Sequence, residues 1–105
     1  MKKANSMDSF APHKKELQKL CERHQVKTLY AFGSVLGTDF HKSSDLDLVV
    51  DFKDLNVQDY VDNYYDFKFS LQELFERPID LLEEKAIKNP YFKQVLDETK
   101  TLVYG

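Results

Sequence analysis

Three aspartates and a glycine–serine pair are the residues in this chain whose types and spacing suit chemistry. Asp45 and Asp47 stand two positions apart in Ser44-Asp45-Leu46-Asp47-Leu48. In an extended strand residues i and i+2 face the same side, so both carboxylates project together while Leu46 and Leu48 turn toward a core. Carboxylates held side by side repel one another unless a cation sits between them. A hard, oxygen-binding ion such as Mg²⁺ (or Mn²⁺) suits that arrangement. Asp80 interrupts the short apolar run Ile79-Asp80-Leu81-Leu82. If that run pairs beside the first, Asp80 lies next to Asp45 and Asp47. Gly33-Ser34 closes an apolar segment, where a glycine lets the backbone turn sharply and approach a ligand. Free N–H groups in a following helical turn, with the Ser34 hydroxyl, would suit a phosphate. Each feature alone has an ordinary explanation: a turn, a chance Asp-x-Asp, a strand-end aspartate facing water. Their combination and order carry the signal.

The elements that must position these residues are legible from periodicity. Ser9 is expected to cap a helix with Pro12 in its first turn. Leu17, Leu20 and Cys21 form its apolar stripe, and it ends near His24. Residues 26–32 read as a strand closed by Gly33, residues 33–44 as turn and loop, and residues 45–52 as a second, alternating strand. Over 57–76, Val57, Tyr60, Val61, Tyr64, Phe67, Leu71, Leu74 and Phe75 share one face of a long helix. Pro78 stops that helix, a third strand follows at 79–82, a last helix near 91–99, and a terminal strand at 102–104. The expected fold is α/β (α+β): a small mixed sheet backed by helices, one domain over 1–105 with residues 1–8 disordered.

Composition narrows the function classes. The chain has 105 residues, is 42% hydrophobic, and carries six Tyr and eight Phe, enough to close one core. Its formal net charge of −3 argues against a domain built to grip nucleic acid, which needs a basic face. A small nucleotide remains compatible, because a divalent ion can supply the missing positive charge. The lone Cys21 sits in a helical stripe and reads as a buried apolar residue. No segment has the length of a membrane span or the pattern of a signal peptide, so a cytoplasmic protein is expected.

Gly33-Ser34, ten residues, then Asp45-Leu46-Asp47 resembles the signature of the DNA polymerase β-type nucleotidyltransferase superfamily. The stretch from Tyr30 to Leu82, with Asp80 in the next strand and Lys88-Asn89-Pro90-Tyr91-Phe92 before Leu102-Val103-Tyr104, looks like its smallest members, the minimal nucleotidyltransferases. The resemblance implies that Gly33 and Ser34 contact a nucleoside triphosphate and that Asp45 and Asp47 bridge two divalent ions. It further implies that Asp80 holds the ion that activates the attacking hydroxyl. Family members commonly carry an arginine-containing segment after Gly-Ser. Here Val35-Leu36 follow and Gly37 arrives one position early, which bears on the triphosphate contacts more than on the metal site. Lys42 and Arg77 are the candidate replacements for that positive charge. His41 reads as a solvated loop histidine.

The resemblance also implies a partner, since such domains often pair with a helical HEPN-like protein in toxin–antitoxin modules and some transfer AMP to its hydroxyl. Two functions follow. One is metal-dependent transfer of a nucleoside monophosphate, AMP from ATP foremost, to a hydroxyl. The other is an antitoxin-type binding module that acts by contact alone. On the long helix, Tyr65 and Phe69 lie four apart and outside the main stripe. They belong either to a sandwiched core or to a face for a helical partner or a second copy. Asp51 shares the strand face of Asp47, but at about 13 Å along the strand it is too far to share the site.

Overall fold

The computed structural model describes residues 10–33 and 45–105. The expectations for residues 1–8, for the Ser9 cap and for Ser34 through Ser44 fall outside those residues. A 3-10 turn at Ala11–His13, with Pro12 in its first positions, leads into α1, Lys14–Arg23. Strands β1 (Val26–Phe32) and β2 (Leu46–Phe52) follow, then α2 (Val57–Phe75) and β3 (Ile79–Glu83). The chain closes with α3 (Pro90–Thr99) and β4 (Thr101–Tyr104). The four strands form one sheet in the order β3-β2-β1-β4. β1 runs antiparallel to both β2 and β4, while β2 and β3 are parallel. A parallel pair needs a long crossover, and α2 supplies it.

The alternation in β2 sorts the sheet into two faces. Leu46, Leu48, Val50 and Phe52 join Val26, Leu29, Ala31, Ile79 and Leu81 in the main core. The core is covered by Leu17 and Cys21 of α1 and Phe67 and Leu71 of α2. Each such fully buried side chain contributes on the order of 1.5–3 kcal/mol by leaving water. The second face carries Asp47, Val49 and Asp51; Phe92 of α3 meets Phe32 there, edge to face with ring centres 6.3 Å apart. Asn89 caps α3, its side-chain oxygen accepting from the backbone N–H groups of Tyr91 at 2.9 Å and Phe92 at 3.2 Å.

One expectation about α2 is corrected. Phe67 and Leu71 are buried, and Tyr60, Tyr64, Leu74 and Phe75 pack against the core, but Val61 of the expected stripe is 56% exposed. Val61 lies at the edge of the 3.6-residue stripe, on the flank of α2 that turns to solvent. The helix ends with Glu76 in the left-handed region at φ 55°, and Pro78 then prevents resumption.

A second joint between α1 and α2 has no signature in the sequence pattern. His24 is buried, with Nδ1 2.8 Å from the Leu20 carbonyl oxygen and Nε2 2.9 Å from Asp66 Oδ2. Asn63 Nδ2 donates to the His24 carbonyl at 2.7 Å. The end of α1 is thereby fastened to the middle of α2. Cys21 is fully buried, as its place in the α1 stripe implies. Burial, with the Glu22 charge adding to it, pushes its thiol up to about 12. At about pH 8 a thiol reagent is therefore expected to modify the folded protein slowly and the urea-unfolded chain at once. Equal rates in a stopped-flow comparison would contradict this packing.

Candidate active site

The acidic residues sit where β1 ends and β2 and β3 begin. Asp47 is level with Phe32 in the antiparallel ladder and with Asp80 in the parallel one, so Phe32, Asp47 and Asp80 form one row across the sheet. By alternation that row faces away from the main core. A backbone hydrogen bond from Leu46 N to the Pro78 carbonyl, 3.0 Å, opens the parallel ladder and sets the start of β2 against the start of β3. Asp47 is half-buried, whereas Asp80, on the outer strand, and Asp45, immediately before β2, are exposed.

Gly33 determines how the Asp47 carboxylate is seated. Its φ is +72°, and a Cβ built there would lie 2.3 Å from Asp47 Oδ2 and 3.1 Å from Asp47 Cγ. Glycine therefore meets two demands at this position: a left-handed backbone and a close approach to a carboxylate. The sequence suggests the turn; the pressed carboxylate is visible only in three dimensions.

Asp80 is supported from behind. The Tyr64 hydroxyl of α2 donates to the carbonyl of Leu81, on the outer edge of β3. Burial foremost, then the charges of Tyr65, Asp80 and Glu83, push the Tyr64 phenol above its usual range. It therefore stays a proton donor to that carbonyl across the physiological range. The bond gives an edge-strand carbonyl a partner beside Asp80, a contribution of about 1 kcal/mol.

Asp51, set apart from the site by strand rise, is occupied elsewhere: Lys85 Nζ lies 3.3 Å from its Oδ1. Arg77 is half-buried at the α2–β3 junction. Among the described residues, no group of three or more histidine, cysteine, aspartate and glutamate side chains stands ready to hold a metal ion. What the strands bring to one level is the pair Asp47 and Asp80, with Asp45 two residues earlier on the same chain. Ser34, the other expected nucleotide contact, lies outside the described residues, as do Lys42 and His41.

Residues 13–103 match the family model of the nucleotidyltransferase domain. The chain belongs to that family. Two proteins of Methanocaldococcus jannaschii, each named "Putative protein adenylyltransferase", are 33% identical to it. One aligns over 91 residues, 87% of either chain, and the other over 89 residues, 82% of either chain. A solved structure described as a putative minimal nucleotidyltransferase superposes with a TM-score of 0.74 at 22% identity, covering 90% of this chain and 92% of the other. A toxin–antitoxin structure with AMP-PNP superposes at 0.65 with 20% identity, over 88% of this chain and 73% of that one. The mixed four-stranded sheet backed by helices is thus a minimal nucleotidyltransferase fold. No helix among the described residues of this nucleotidyltransferase domain is long and apolar enough to cross a membrane.

Proposed function

We propose that this nucleotidyltransferase domain transfers AMP from ATP to a hydroxyl, and that the acceptor hydroxyl is carried by a helical HEPN-like partner protein. The observation that supports it best is the row Asp47–Asp80 at the mouth of three strands, with Asp47 seated against Gly33. The relatives named as adenylyltransferases and the fold shared with a toxin–antitoxin structure support the nucleotide and the partner class.

The donor chemistry fits Mg²⁺ or Mn²⁺. Asp45, Asp47 and Asp80 offer only carboxylate oxygens, the ligands such ions prefer, and Asp47 and Asp80 stand at one level of the parallel ladder. Bound there, a divalent ion would supply neutralisation of the triphosphate and stabilisation of the entering and leaving oxygens. The residues themselves would do the following. Asp45 and Asp47 would fix the triphosphate end through the bound cation. Gly33 and Ser34 would face phosphate oxygens, and the exposed Asp80 carboxylate would take the proton of the acceptor hydroxyl. The acceptor oxygen bonds to the α-phosphorus, the bond from that phosphorus to the bridging oxygen breaks, and pyrophosphate leaves with the electron pair. Positioning and charge supply most of the rate in such transfers.

The test is label transfer from α-phosphate-labelled ATP, with the other nucleotides beside it, into proteins of the source cell. A band that requires Asp45 and Asp47 supports the reading and delivers the acceptor. No label from any nucleotide, with folded protein, moves the function to a contact-only antitoxin, a reading favoured by the exposed apolar face of α2.

A thermodynamic check needs no acceptor. Mg²⁺ or Mn²⁺ at roughly ten times its dissociation constant is expected to stabilise the fold by on the order of 1 kcal/mol, a rise in Tm of about 4–8 °C. Asp45→Asn should remove much of that rise. A melting temperature indifferent to both ions would count against the site.

A further inference from the structure

On the side of α2 remote from the core, Val61, Tyr65 and Phe69 stand four residues apart and are 56%, 49% and 56% exposed. The Tyr65 and Phe69 rings stack, with centres 6.1 Å apart and planes at 30°. Three apolar side chains in one continuous row are a patch, unlike scattered surface hydrophobics. Beside the row lies a shallow hollow of about 550 Å³ lined by Asp59, Asp62, Asn63, Tyr65, Asp66 and Phe69. At 100° per residue, the three aspartates fall about 60–120° to one side of Tyr65 and Lys68 about 60° to the other. Asp66 spends one oxygen on His24, yet its side chain remains 74% exposed.

We propose that this face docks a cationic amphipathic helix of a partner protein. Its apolar stripe would lie on Val61, Tyr65 and Phe69, and its lysines or arginines would meet Asp59, Asp62 and Asp66. A guanidinium in that position would also reach the faces of the paired rings. Charge disfavours the simplest competitor, an antiparallel second copy of the chain. When two identical helices pair antiparallel about a two-fold axis, like flanks face each other, as e meets e and g meets g in a heptad. That would set three carboxylates against the same three, and the single Lys68 lies on the wrong flank to relieve them.

The face is also separate from the acidic row. α2 covers the core side of the sheet, Asp47 and Asp80 point from the other, and the stripe faces outward from α2. A partner helix here is held by the outer face of α2, and its binding needs no nucleotide. The inference therefore stands or falls independently of nucleotide transfer.

The probes are two synthetic helical peptides with the same leucine stripe, one flanked by lysine and the other by glutamate. Binding to the full chain is followed by fluorescence anisotropy, without nucleotide. The lysine peptide is expected to bind and the glutamate peptide not. Tyr65→Ser/Phe69→Ser, at exposed positions that leave every aspartate in place, should weaken binding at least about tenfold. Asp59→Lys/Asp62→Lys should transfer the preference to the glutamate peptide. The proposal is overturned if neither peptide binds, or if Tyr65→Ser/Phe69→Ser binds the lysine peptide as well as wild type. A concentration-dependent dimer in sedimentation that the same serine variant abolishes would also overturn it and assign the face to a second copy. Circular dichroism melts of both variants establish that they fold.

Discussion

Asp45→Asn/Asp47→Asn is expected to lower nucleotidyl transfer by at least about 100-fold while leaving the fold intact. The arithmetic rests on the ion these carboxylates would hold, whose charge stabilisation is worth several kcal/mol in the transition state, at about 1.4 kcal/mol per tenfold. The fold should be retained, because neither residue belongs to the core cluster. Asp80→Asn separates the roles. If Asp80 takes the proton of the acceptor hydroxyl, its loss lowers kcat, while binding of an ATP analogue in Mg²⁺ is largely retained. Loss of the Asp45/Asp47 pair should weaken that binding too. Radiolabel incorporation and analogue titration on the three proteins read this directly. Undiminished transfer in the double variant would remove the acidic row from the mechanism.

Gly33→Ala should be the most damaging change of a residue that carries no functional group. Its φ of +72° costs a side-chain-bearing residue about 1–3 kcal/mol. The new methyl would stand 2.3 Å from Asp47 Oδ2, so the carboxylate must move. A displacement near 1 Å in a catalytic group costs on the order of 100-fold in rate. Gly33→Asn distinguishes the two effects. Asparagine tolerates the left-handed region, so the stability loss should shrink, but its Cβ still meets Asp47 and the activity loss should remain. Comparing Tm with transfer rate for the two variants decides the matter. Full activity in either would mean that the seat of Asp47 against Gly33 has no part in the reaction.

These two expectations come from different levels of information. The paired aspartates are a property of the sequence. Strand alternation alone puts Asp45 and Asp47 on one side and Leu46 and Leu48 on the other; the ladder follows that pattern for Leu46, Asp47 and Leu48, and Asp45 stands just before it. Local periodicity likewise determined β1, β2, β3, α2 and α3 to within a residue or two and the end of α1, because each has a strong apolar repeat ended by glycine, proline or a polar break; the expected first turn of α1 is instead a 3-10 turn. The apolar count and the single unpaired cysteine were enough to imply one core with Cys21 inside it.

What the sequence could not decide are relations between segments far apart in the chain. That Asp47 lies level with Asp80 depends on the parallel register of β2 and β3, and a shift of one residue would turn one of the two carboxylates to the core. The fastening of His24 to Asp66 joins residues 42 apart in the chain, and nothing local to either marks them as partners. On α2, helical geometry alone placed Val61 with the core and left Tyr65 and Phe69 undecided. The packing of α2 against the core decided all three, because a helix buries only what its neighbours can reach, and it left them in one exposed row.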